Sequence, residues 1–162
     1  MSVTLTVGTN SYISVEDASS YFGERLFADT WTNAVADDKA KALIMASKKI
    51  DRQTLRGKKA DADQVMEFPR AMYSYEPTQY DYGPGWYIQS AVPQEVLDAT
   101  CEEALALLAY GSSKRIMLQN QGVRSFSIGG MSEALSGSPK KLLSTEAIEL
   151  LLPYIGGGVV IS

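Results

Sequence analysis

Histidine is absent from the 162 residues, and cysteine occurs once, at Cys101. These absences exclude most zinc sites, every histidine-based triad or acid–base pair, and any disulfide framework within one chain. A single thiol inside an apolar stretch reads as a small buried hydrophobe rather than a nucleophile, and its scarcity agrees with a reducing compartment. Long apolar runs are missing too, since none approaches the ~20 residues that a membrane helix needs. The opening MSVTLTVGTN lacks a basic segment followed by an apolar one, so a soluble intracellular product is expected. The hydrophobic share of 45% suits one globular core. A single domain over residues 1–162 is expected, with a flexible N-terminus over 1–10 and a C-terminal tail over 156–162.

The net charge of −4 is unevenly spread. Lys39, Lys41, Lys48, Lys49, Arg52, Arg56, Lys58 and Lys59 follow one another with Asp51 as the single acid among them. A cationic strip on an acidic body could meet phosphates or an acidic protein surface; the alternative is a solvated helix face followed by a polar loop. The acidic overall balance is unlike the basic signature of dedicated nucleic-acid binders.

Ser14-Val15-Glu16-Asp17 predicts a helix start, with Ser14 as cap and acids in the first turn, where the helix dipole favours them. Val15, Ala18, Tyr21 and Phe22 fall at helical spacing, and Gly23 keeps this helix short. Ala40, Leu43, Ile44, Ser47 and Ile50 predict a second helix, with Lys41, Lys48 and Arg52 on a different face. Pro93 suits the first position of a third, whose apolar residues from Val96 to Leu108 form an arc wide enough for a central helix ending at Gly111. Residues Val123–Ile128 and Met131–Leu135 about Gly129-Gly130 predict a hairpin. Ser144 can cap a last helix with Ile148, Leu151, Leu152 and Ile155 on one side, and Gly156-Gly157-Gly158 releases the tail. The fold class expected is mainly α: a small bundle of about four helices with a long irregular loop and a small β-hairpin.

That loop spans Gln53–Val92, where periodicity disappears and Tyr73, Tyr75, Tyr80, Tyr82, Tyr87 and Trp86 gather among prolines and glycines. Long loops tend to be functional or disordered, and aromatic crowding argues against disorder. It either faces a partner or subunit or folds as a lid on its own domain. No catalytic group emerges. The glycine clusters lack the phosphate-loop pattern, and Ser125, Ser127 and Ser132 lack a histidine partner. Glu16-Asp17, Asp37-Asp38 and Glu102-Glu103 point about 100° apart on a helix, poor geometry for sharing a substrate, and read as helix-start charges or solvated faces. No enzyme, metal or cofactor is expected.

Taken in order, Tyr12-Ile13-Ser14-Val15, the Ala42–Asp51 helix, Arg56-Gly57-Lys58-Lys59, Phe68-Pro69-Arg70, Pro93-Gln94-Glu95-Val96 and Val123–Gly129 resemble the head–tail connector proteins of tailed phages. That group also carries the name DnaT-like single-stranded DNA-binding protein. The resemblance covers nearly the whole chain and implies a small, mostly helical virion subunit that is structural, not enzymatic. Such a head-completion adaptor forms a ring oligomer under the portal protein, binds a tail-side connector or tail-terminator protein, and lines the channel through which double-stranded DNA is ejected without sequence specificity. It would sit at the head–tail junction of the virion, and in the host cytoplasm before assembly.

On this reading Lys41, Lys48, Lys49, Arg52, Arg56, Lys58 and Lys59 form a strip facing DNA or a partner. Phe68, Pro69, Arg70, Tyr73, Tyr75, Tyr80, Tyr82, Trp86, Tyr87, Arg124, Phe126 and Ile128 form a subunit or partner interface. The alternative function is a single-stranded DNA-binding module, with the strip on phosphates and Tyr73, Tyr75 or Trp86 as stacking platforms. Because basic and aromatic residues do not interleave along the chain, such binding is expected to be weak and lost near physiological salt.

Overall fold

The fold, a computed structural model, is described for residues 2–74, 85–113, 117, 125–128, 131–134 and 142–156, with backbone alone for Ser74 and for 125–128 and 131–134. Tyr75, Tyr80, Tyr82, Arg124, Gly129-Gly130 and the tail beyond Gly156 lie outside the described residues, and of Phe126 and Ile128 only the backbone is placed.

Helix α1 (Val15–Gly23) starts where Ser14 caps it: the Ser14 hydroxyl accepts the Asp17 amide at 3.0 Å. It buries Ala18 and Phe22. A short α2 (Asp29–Asn33) follows, which hydrophobic periodicity could not announce because five residues hold little more than one turn. Its Trp31 is buried with its ring 4.7 Å from that of Phe22. Helix α3 (Ala36–Asp51) carries the expected apolar side, with Leu43, Ala46 and Ile50 fully buried.

Helix α4 (Gln94–Tyr110) is central, as its broad apolar arc demands. Cys101 and Ala104 join one core cluster with Phe22, Trp31 and Leu43; Val96 and Ala99 join a second with Tyr12, Ile50, Phe68 and Leu151. Pro93 is the cap residue rather than the first helical one. Helix α5 (Thr145–Leu151) is capped by Ser144, whose hydroxyl accepts the Ala147 amide at 3.1 Å. It buries Ala147 and Leu151, whereas Leu152, expected on the same side, stands largely exposed. Five helices among the described residues make the protein mainly α. None is long and apolar enough to cross a membrane.

Gln53–Val92 is not an irregular loop throughout. Strands β1 (Lys58–Lys59), β2 (Arg70–Ser74) and β3 (Gly85–Ile88) build an antiparallel sheet in that order, with Lys58 opposite Ala71 and Tyr73 opposite Trp86. Strands of two to five residues are too short to show alternation, and their pairing is non-local. The expected hairpin forms from β4 (Ser125–Ile128) and β5 (Met131–Ala134), with Ile128 opposite Met131. In the N-terminal stretch the Val3 amide donates to Asp37 Oδ1 at 2.8 Å.

Candidate nucleic-acid interface

The sheet begins at a glycine. Gly57 has φ +72°, and a Cβ there would stand 2.1 Å from the Ala71 carbonyl oxygen, so only glycine lets β1 lie against β2. Just below, the Arg70 guanidinium, 4% exposed, donates to the Arg56 carbonyl at 2.7 Å, the Gly57 carbonyl at 3.0 Å and the Glu67 carboxylate at 2.5 Å. From the far side, the Arg56 amide donates to the Tyr154 carbonyl at 2.8 Å and the Gly156 amide to the Thr54 carbonyl at 2.6 Å. Gly156, read as a release point, is therefore bonded in place. These contacts hold the segment Thr54–Lys58 from both sides.

Side chains alternate along a strand and match across a register, so Lys58, Ala71, Tyr73, Trp86 and Ile88 share one face. Lys58 Nζ lies 5.1 Å from the centre of the Trp86 ring, within cation–π range. The Tyr73 and Trp86 rings meet edge to face at 5.7 Å. Tyr73 is 44% exposed, Trp86 57% and Ile88 68%. The other face turns Arg70 and Met72 into the protein, with Tyr87 half exposed.

The seven-residue basic strip divides in two. Lys41 is held by Asp37 at 2.5 Å and Asp38 at 3.6 Å, which raises its pKa and lowers that of Asp37, chiefly through the hydrogen bond between them. Lys49 turns inward to Glu103, and Lys59 lies 3.8 Å from Glu67. Lys48, Arg52, Arg56 and Lys58 are exposed and form no ion pair among the described residues. In chain order they run from the last turn of α3, through its C-cap Arg52, to β1, where Lys58 meets the sheet face.

Two residues expected at an interface, Phe68 and Arg70, are interior instead, and Pro69 between them is half-buried. Phe68 packs between Tyr12 and Tyr154, its ring 6.0 and 5.4 Å from theirs. Arg70 is the clamp described above. Local sequence did not reveal this, because burial depends on what the tertiary fold places around a side chain. Ile88 is the member of the exposed face that residue-by-residue reading passed over; Trp86-Tyr87-Ile88 is too short a run to show which residue faces which way.

Glu102 and Glu103, read as solvated, are both buried and committed to structure. Glu102 accepts from Arg25 Nε at 2.5 Å and Nη2 at 2.9 Å and from the Tyr21 hydroxyl at 2.7 Å. That contact raises the pKa of Arg25, while burial pushes that of the Tyr21 phenol up. A cavity of about 390 Å³ opens beside Glu102, but these partners occupy its carboxylate. The described residues contain no group of three or more histidine, cysteine or acidic side chains able to hold a metal. Cys101 is buried, and burial pushes its thiol well above the ordinary range. A thiol reagent at mildly alkaline pH should therefore leave the native protein unmodified and label one site after denaturation; prompt labelling of the native protein would contradict the burial.

A family model described as "Putative DnaT-like ssDNA binding protein" matches residues 2–158. The chain belongs to this DnaT-like family. No curated protein and no solved structure matches it. The match corrects the expectation of a virion connector and portal-binding adaptor: the family is described by single-stranded DNA binding, the function first placed second.

Proposed function

We propose that this DnaT-like protein binds single-stranded DNA without catalysis, on the sheet face bearing Lys58, Tyr73 and Trp86. The observation that carries the reading is the cation–aromatic stack itself, Lys58 over Trp86 beside Tyr73, exposed on a sheet whose backbone is braced from below. A base has a π-face that can stack on such rings whatever its identity, while Lys58, Arg56, Arg52 and Lys48 supply positive charge for the phosphates. The stack provides the interleaving of basic and aromatic groups that the linear order of residues lacks.

Of the two tryptophans, Trp31 is buried and Trp86 exposed, so fluorescence quenching by a single-stranded oligonucleotide would report on Trp86. Quenching should saturate, and Trp86→Ala should weaken binding measured by anisotropy about 5- to 150-fold, the equivalent of about 1–3 kcal/mol per stacked base. Lys58→Ala and Arg52→Ala should each lower the salt slope by about 0.7 while leaving stacking in place. Absence of binding at low salt, or unchanged affinity in Trp86→Ala, would overturn the assignment.

A further inference from the structure

We infer that the edge strand β3 pairs with β3 of a second copy of this chain, joining two three-stranded sheets into one of six strands. The consequence for DNA, a doubled stacking face, rests on the function proposed above; the pairing does not.

Among the described residues, strand β3 ends the sheet order β1-β2-β3. The Gln89 amide donates to the Arg70 carbonyl at 3.0 Å, and in an antiparallel ladder the residues that face the partner alternate. Tyr87 therefore turns its backbone groups toward Met72, while Trp86 and Ile88 turn theirs to the open edge. No hydrogen bond from the described residues reaches those groups. Edge strands of monomeric proteins are usually guarded by charge, proline, a bulge or a covering segment. Here Gly85–Gln94 carries no charge at all, and Trp86, Tyr87 and Ile88 are exposed along β3.

The geometry favours a second copy because the strand complements itself. With Tyr87 opposite Tyr87 of the other copy, Trp86 faces Ile88 and Ile88 faces Trp86, and each of these two pairs exchanges both backbone bonds. Every edge-facing N–H and C=O of Trp86 and Ile88 is then satisfied. The two-fold axis stands perpendicular to the sheet, an isologous contact that closes at two chains. Both stacking faces lie on the same side. The backbone of Lys58, on β1, lies two strand spacings of roughly 4.8 Å from β3 in each copy, so no charged strand adjoins the seam.

Sedimentation velocity of the full chain, from micromolar to millimolar concentration, should show a shift from the 17.6 kDa monomer toward twice that mass. Ile88→Pro removes only an edge-facing N–H and spares the ladder with β2, while Ile88→Lys puts a charge on the edge. Each should raise the dissociation constant at least about tenfold, whereas Ile88→Val should not. Circular dichroism confirms folding, and Ile88→Lys decides the matter if Ile88→Pro does not fold. A wild-type chain that stays monomeric throughout, awaiting some other strand or none, would overturn the pairing, as would dimers that survive both substitutions. A monomer that binds single-stranded DNA fully would overturn the pairing and keep the function; a dimer broken at Ile88 but without DNA affinity would do the reverse.

Discussion

Glu103→Ala should lower the unfolding free energy by about 3–5 kcal/mol, the range seen when one partner of a buried ion pair is removed. The Glu103 side chain is fully buried in the middle of α4. It meets Lys49 Nζ at 2.5 Å, accepts the Leu143 amide at 2.8 Å, and accepts the Ser144 amide at 2.9 Å. One carboxylate thus ties α3, α4 and the entry to α5 together. Its loss strands the ammonium of Lys49, which is only partly exposed, and orphans two backbone donors at about 1–3 kcal/mol each, terms that overlap and do not simply add. Glu103→Gln keeps the shape and the acceptor, so it should fall between alanine and the native residue. Urea unfolding checks both. A loss below about 1 kcal/mol from the alanine variant, the range of exposed pairs, would show that the three-helix junction does not depend on this group.

Gly57→Ala should be nearly as severe, at about 2–5 kcal/mol. The left-handed backbone costs alanine about 1–2 kcal/mol, and relieving the overlap with the Ala71 carbonyl adds about 1–3 kcal/mol by forcing β1 away from β2. Single-stranded DNA affinity should fall as well, since Lys58 is the next residue and would leave its place over Trp86. Gly23→Ala is the control. Nothing lies within 4 Å of its Cβ position and its φ is not positive, so the melting temperature should hold or rise, with up to about 1 kcal/mol gained from helix propensity. Equal melting of the Gly57 and Gly23 variants would mean that the approach of β1 to β2 is not as close as described.

The main helices were legible in the sequence because their signals are local. Ser14 and Ser144 cap within three residues, and the buried positions of α3 and α4 recur at spacings of three and four. The lack of histidine and the concentration of cations between Lys39 and Lys59 were equally plain. Tertiary structure alone decided which cations remain open, because Lys41, Lys49 and Lys59 lose their freedom to Asp37, Glu103 and Glu67, and only the first of these pairs is local in sequence. It also decided that Phe68 and Arg70 go inside, that Trp31 anchors a helix of barely more than one turn, and that Lys58 meets Trp86. That last contact depends on strand pairing across β2, where a register slip of one residue would send every side chain to the opposite face, and no periodicity within β1 or β3 records that choice.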